Sequence, residues 1–565
     1  MTEQPAAPVV QTPVEVALTS TWREASSGAV TVSATGYGAG ADAPALAGRL
    51  AALGGAYPAP NAIARLLDGL SGHFAFVATG PRWSLIAVDP VRSIPLAYAR
   101  SNGAWRIDAR ADRLRRALGL GVEAVDPEAA LALAMAGYTV DAAALYRGVE
   151  VMGPGEFVLL RDGEPNRQRY HAYRPWRADK PTYDAARARK ALAETVLSVV
   201  DTMMAGIGGR ELVVPLSAGR DSRLIVSAAR HLGHKNIRCF AYGRPGNHEI
   251  AASRAIAERL GYRWTCVPMD VPFMRRFYAS ADYRGYLDEA DTLQACPFVQ
   301  DMPQIMALKE AGFIPCDAVF ANGNTGDFLS GGHVVPAIRE PAPQLDVEAR
   351  LTRIVEALID KHFALWRGLA TAENRRTVTH LLHASFAQAG AAPGASEDDY
   401  GLFEYAEFCD RQCKYVINGQ RVYEALGHEW RLPLWDRELL DFFELVPLAG
   451  KAEQTLYGDM LDTENWGGVW QGLPVNAKTI RPHWLSPLRF AAKTLHAPLG
   501  GAAWHRFERR YLQYWMETGA QSAIVPYRRA AADRRGARHG IAWLTEAYLE
   551  RHGLGWNGAP LAVRG

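Results

Sequence analysis

Two domains of different class are predicted: a β-rich N-terminal domain, then an α/β domain on a parallel sheet with a helical extension. Three observations predict this. The chain has 565 residues, too many for one ordinary core. Residues 15–175 alternate short apolar runs with Gly, Pro, Asn and Asp, the pattern of strands and hairpins. From about residue 181, strand-like and helix-like stretches alternate, which calls for a parallel sheet with helices on both faces.

The elements follow in order. MTEQPAAPVVQTP has no basic start and no apolar core, so residues 1–14 read as a disordered lead-in and not a secretory signal. GHFAFVATG, RWSLIAVDP and GEFVLLRDG read as strands of the first domain, with one helix over Pro127 to Ala136. HAYRPWRADKPT, from His171, has the proline and charge content of a linker. The second domain is expected over 181–545, with a tail at 546–565. It opens on YDAARARKALAETVLSVVDTMMA, whose apolar residues fall at helical spacing. Then come strand ELVVPL, helix DSRLIVSAARHLG, strand IRCFAYG, helix HEIAASRAIAERLG and strand RWTCVPM. Beyond about residue 340 the pattern is mostly helical.

Composition excludes several classes. Hydrophobic content of 48% and charged content of 22% fit a globular protein. Lysine and arginine (62) nearly balance aspartate and glutamate (60), for a net charge of +2. Nothing there asks for nucleic acid or an anionic membrane. The one basic run, YRRAAADRRGARHG from Tyr527, reads as a solvated helix or loop, since no stacking aromatics interleave it. No apolar stretch reaches spanning length, so no membrane insertion and a cytoplasmic location are expected. The six cysteines, 239, 266, 296, 316, 409 and 413, form no C-x-x-C pair and read as buried reduced thiols. None precedes residue 238.

The chemistry starts in VVPLSAGRDSRLI, Val213 to Ile225. A strand there meets a helix start, where backbone N–H groups and the dipole favour an anion. Ser217 and Ser222 add hydroxyls. Asp221 would repel a bare phosphate, but not one that reaches it through Mg²⁺. Ser and Asp also cap helices routinely, so the hexapeptide alone leaves both readings open. NGNTGDFLSGGH, from Asn322, is a second glycine-rich loop after an apolar stretch, CDAVF, and it carries Asp327. Two such loops at strand ends could hold Mg²⁺ between them.

These residues carry a family resemblance. SAGRDS resembles the SGGxDS loop of N-type ATP pyrophosphatases, and NGNTGDFLSGGH is similar to the asparagine synthetase motif G-x-G-x-D-E-L-F-G-G-Y. CFAYGRPGNHEIAASRAIAERLGYRW, RLPLWDRELLDFFELVP and LPVNAKTIRP resemble further family segments in the same order, over about residues 15 to 500. The resemblance implies an adenine nucleotide alpha hydrolase-like second domain. There a carboxylate attacks the α-phosphate of ATP, and an amine then displaces AMP to form an amide. It places Leu216, Ser217, Ala218, Gly219, Asp221, Ser222, Tyr242, Gly243 and Gly323 around ATP. Asp221 and Asp327 would bind Mg²⁺, and Lys478, with Asp221, would be catalytic. Ala218 stands where the family has glycine, which would cost about 1 kcal/mol if the position needs a positive φ. Asn324, Thr325 and Phe328 replace the family's acid, second glycine and second acid. Asn324 cannot act as a base, which leaves the activation of the amine, and aspartate as substrate, open.

GHFAFV, DPVRSIPLAY and MGPGEFVLLRDG resemble the glutaminase domain of asparagine synthetases, which implies an Ntn-hydrolase-like, class II glutaminase-like fold. That domain uses an N-terminal cysteine nucleophile. Here Thr2 follows Met1, and neither a cysteine nor an Asn-Gly-Glu segment occurs. The implied protein is an ATP-dependent amide-forming ligase without glutaminase activity. Its partners would be a small-molecule or sugar carboxylate and an amine donor, with no nucleic acid; a homodimer is compatible. KYVINGQRVYEALGHEWRLPLWDRELLDFF is similar to proteins of surface-polysaccharide synthesis, which favours amidation of a uronic acid. Intramolecular cyclisation, of the β-lactam synthetase or lasso-peptide cyclase type, and a catalytically silent nucleotide-binding homologue are the alternatives.

Overall fold

The structure is a computed structural model that describes residues 13–54, 57–161, 165–244, 247–473, 475, 483–556 and 562–563. The chain divides into two units. One gathers Ala142–Ala172 with the residues up to Ala124, and the other gathers Val125–Asp141 with the residues from Tyr173 onward.

The first unit is sheet-rich. Six antiparallel strands lie in the order Asn166–Arg169, Glu156–Leu160, Trp83–Val88, His73–Gly80, Val30–Tyr37 and Arg23–Ser27. Alternation buries Val32, Phe74 and Phe76 on one face, where helices Ala43–Ala52 and Pro60–Asp68 supply Leu46, Leu50, Ile63 and Leu67. A smaller four-stranded sheet joins Val14–Ala17, Ala104–Asp108, Ala97–Ser101 and Glu150–Val151. The DPVRS turn is built on Asp89, a fully buried carboxylate that accepts N–H groups of Phe74, Val91 and Ser93 and the Ser93 hydroxyl. Burial pushes it up to about 6 against those hydrogen bonds.

The helix expected over Pro127 to Ala136 forms with those bounds, capped by Asp126 at its start and by Gly137, φ 88°, at its end. The sequence places this segment in the first domain, yet it packs with the second unit. The Thr139 N–H donates to the Gln294 carbonyl (2.8 Å), and Lys414 Nζ reaches the Thr139 carbonyl (2.8 Å) and Asp410 (2.7 Å).

The second unit holds a five-stranded, all-parallel sheet, ordered Arg263–Pro268, Ile237–Gly243, Leu212–Pro215, Val319–Ala321, Glu429–Arg431. The expected alternation holds, with helices Ala185–Gly206, Asp221–His231 and His248–Leu260. Leu212 pairs with Ile237 on one side and Val319 on the other, and the central residues Leu212, Val213 and Val214 are wholly buried. Four cysteines are buried as expected; Cys316 is exposed and Cys266 half-buried, because their segments lie at the ends or edge of the sheet.

One buried ion pair braces this unit. Lys451 Nζ lies 2.5 Å from Glu404 and donates to the Tyr173 hydroxyl at 2.9 Å; both charged side chains are sealed from solvent. The Lys451 carbonyl lies against Gly331, φ 90°, where a Cβ would approach it to 2.4 Å. The pair therefore also fixes the end of the second glycine-rich loop. Lys451→Met, which strands the Glu404 carboxylate, is expected to lower unfolding stability by roughly 3–5 kcal/mol. Adding Glu404→Leu should restore most of that in chemical denaturation.

Candidate active site

Strand order locates the crevice. From the Leu212–Pro215 strand the chain moves to one side of the sheet, then returns to lay Val319–Ala321 on the other. Ligands of open parallel sheets bind at such a reversal, beyond the carboxyl ends of the strands. Both glycine-rich loops leave the sheet there and line a cavity of about 810 Å³. Ser217, Gly219, Asp221, Ser222, Tyr242, Gly323 and Asp327 all face it.

The first loop is held by its own hydroxyls. The Ser217 N–H donates to Ser222 Oγ (3.0 Å), the Gly219 N–H donates to Ser217 Oγ (3.1 Å), and the two hydroxyls are 3.2 Å apart. Leu216 and Ala218 do not line the cavity, because their side chains turn into the core, where both are buried. The Leu216 N–H is spent on the Phe240 carbonyl (2.8 Å). Ala218 is not among the residues with positive φ, so alanine carries no left-handed strain there. Its carbonyl accepts from buried Arg223 (2.7 Å), whose guanidinium also reaches the Val469 and Leu473 carbonyls, both at 3.2 Å. Gly243 does not line the cavity either. It ends its strand at φ 143°, and its carbonyl accepts the Met269 N–H (2.9 Å). Lys478 lies outside the described residues.

The second loop lies on the first at backbone distance. A Cβ on Gly323 would approach Ser222 N to 2.4 Å, and one on Gly326 would approach Asp221 Oδ1 to 2.7 Å. Only glycine fits either place. The Asp327 N–H donates to Asp221 Oδ2 (3.0 Å), and the Tyr457 hydroxyl donates to Oδ1 (3.0 Å). Burial, and then the charge of Asp327, push Asp221 up to about 7. Burial acts on Asp327 too, but the hydrogen bond and charge of His333 outweigh it and hold Asp327 below the usual carboxylate range. Asp327 Oδ1 is buried with no hydrogen-bond partner. An orphaned oxygen beside a carboxylate pushed up by burial and by its neighbour's charge is the donor set that a hard divalent cation satisfies, so these residues fit Mg²⁺.

Residues 191–457 match the asparagine synthase family. This stretch is an asparagine synthase domain. The match supports an ATP-dependent amide-forming ligase in general; members of that family use ATP, typically with Mg²⁺. Two solved structures resemble the chain weakly. One is glutamine phosphoribosylpyrophosphate amidotransferase from B. subtilis complexed with ADP and GMP, 13% identical at a TM-score of 0.20, over 44% of this chain and 73% of that one. The other is the allosteric regulatory enzyme of purine biosynthesis, 12% identical at 0.17, over 43% of this chain and 61% of that one. Scores this low carry no inference about fold or function. No curated protein matches the chain.

The asparagine synthase domain also shows what sequence reasoning missed. Asp301 lines the cavity, and its carboxylate accepts the hydroxyls of Tyr242 (2.7 Å) and Tyr423 (3.0 Å). Burial pushes it up to about 6, a value suited to proton transfer near neutrality. His333 joins Asp327 (3.2 Å) to Glu407, which also binds Lys361 (2.9 Å) and His362 (3.0 Å). Burial opposes a charge on His333, but Glu407 and Asp327 raise it to about 9, so it is a cation at neutral pH. Arg220 lines the cavity and donates to Gln454 (3.0 Å). Among the described residues, no helix is long and apolar enough to cross a membrane.

The contact at Gly323 gives a direct test. Gly323→Ala is expected to force the loops apart and weaken Mg-ATP binding by about tenfold or more, for an overlap costing on the order of 1–3 kcal/mol. Calorimetric titration would read the affinity, and an unchanged circular dichroism spectrum would show the fold retained.

Proposed function

We propose that the second unit adenylates a carboxylate with Mg-ATP, releases pyrophosphate, and transfers the acyl group to ammonia or an amine, without hydrolysing glutamine. The observation that carries this reading is the pairing of Asp221 with Asp327, its Oδ1 unpartnered, at the sheet's reversal point. Asp221 and Asp327 would hold Mg²⁺, which when bound neutralises phosphate charge. The Ser217 and Ser222 hydroxyls and Arg220 face the space where the phosphates would lie. Lys478 is the cation proposed for the α-phosphate.

Asn324 cannot take the proton of the incoming amine. Asp301 supplies the missing base in this reading. Its carboxylate is oriented by two tyrosines and opens on the same cavity. The absence of a cysteine before residue 238 supports an amine that does not come from glutamine. The proposed carboxylate is a sugar uronic acid used in surface polysaccharide, in the cytoplasm. The same site would serve intramolecular closure where carboxylate and amine belong to one molecule.

Incubation with Mg-ATP, ammonia and a panel of carboxylates that includes uronic acids is expected to release AMP and pyrophosphate only when a carboxylate is present. Glutamine in place of ammonia should give no amide. No release on any panel, together with unchanged ATP affinity in Asp221→Ala, would sink the ligase reading. Asp301→Asn should lower kcat for amide formation by about 10²-fold. A carboxyl raised to about 6 is an active base only above that pH, so wild-type activity should climb through pH 6. That limb should vanish in the variant.

A further inference from the structure

A second cavity in the same unit, of about 640 Å³, has no part in the reading above. Five arginines line it: Arg367, Arg506, Arg509, Arg510 and Arg534. Arg506, Arg509 and Arg510 are spaced to share one helical face, and Arg534 comes from the basic run expected to be merely solvated. The aromatic groups that run lacks are supplied from elsewhere, by Tyr511, Tyr514 and Trp543 on the same lining.

The charge is not balanced. Among the described residues, Asp533 is the only acid on the lining, and it is held by Arg535 at 2.8 Å. Glu508, next to Arg509 in the chain, is held by Arg489 at 2.5 Å. Among the described residues, no carboxylate pairs with Arg367, Arg506, Arg509 or Arg534. Arg510 donates to the Ala531 carbonyl at 2.8 Å. The neighbouring His539 records the field: burial, then the charges of Arg538, Arg411 and Arg509, push it down to about 4. In a chain of net charge +2, this is a local excess of positive charge around a concave space.

We propose that this cavity is a metal-independent anion site for a small molecule with at least two neighbouring oxyanions, the chemistry of a diphosphate or a dicarboxylate. Guanidinium groups bind such oxygens bidentately, and the volume is that of a small-molecule site. The site is distinct from the nucleotide cavity but adjoins it. Gln521 and Leu544 face the nucleotide cavity, while the next residue, Ser522, and the preceding one, Trp543, face this one.

Calorimetric titration of the full chain in EDTA at low salt, with pyrophosphate, uridine diphosphate and citrate in separate arms, tests it. EDTA removes the Mg²⁺ that the nucleotide site would need. At least one arm should show one-site binding that weakens with added salt. The same arm should weaken tenfold or more in Arg506→Gln/Arg509→Gln, with Arg534→Gln as the second variant should the first fail to fold. Asp221→Asn should leave it unchanged. The arm that binds tells diphosphate from polycarboxylate. No binding in any arm, binding indifferent to the arginine replacements, or binding lost in Asp221→Asn would each overturn the proposal.

Discussion

The hydrogen bond from the Asp327 N–H to the Asp221 carboxylate is the contact on which the rest of the site depends. It joins two loops 106 residues apart and brings two acids together at the reversal of the sheet. Glycine at 323 and 326 is the steric condition for it, since any side chain there would meet the start of the Asp221 helix. Burial pushes Asp221 upward, and the repulsion between the two neighbouring acids adds to that shift. The fold answers with partners placed on purpose-built positions: Tyr457 for one acid and cationic His333 for the other.

That answer explains the helical extension. His333 is a cation because Glu407, wholly buried, sits behind it and Asp327 in front of it, against the burial of the ring. Glu407 stays ionised because His362, His333 and Lys361 surround it, from helix Val347–His362 and the second loop. Charge is thus passed outward from the cavity, one partner at a time, until it reaches a half-exposed lysine. Phe328 fits the same account. Where the family motif has a second acid, this chain places an apolar ring that is fully buried against Trp435 and Tyr173. A third carboxylate here would have needed a further cation.

Local signals were legible in the sequence, and long-range ones were not. Strands and helices from residue 183 to 268 fall where periodicity puts them, and the glycines of NGNTGD announce a close approach before the partner backbone is known. Asp221 and Asp327 stand out because each is the lone acid of a glycine-containing turn after an apolar strand. Asp301 has no such setting. It follows CPFVQ with no motif, and its meaning comes from Tyr242 and Tyr423, 59 and 122 residues away. His333 and Glu407 are 74 residues apart and escape for the same reason. The Pro127–Ala136 helix shows the converse: its bounds are local and match the expectation, while the unit it joins is decided by Gln294 and Lys414.

Arg223 bears on how the protein is made. Its guanidinium is the shared fastening for the Ala218 carbonyl in the first loop and for the Val469 and Leu473 carbonyls, 246 and 250 residues further along the chain. A ribosome releases the loop over residues 217–222 hundreds of residues before the Val469 and Leu473 carbonyls exist. During synthesis Arg223 has the Ala218 carbonyl within reach at once, while its two later partners are still to be made. The first loop of the cavity therefore gains its full set of fastenings late, and a chain stopped short of residue 469 would keep the Ser217 and Ser222 bonds but lack the Val469 and Leu473 anchors.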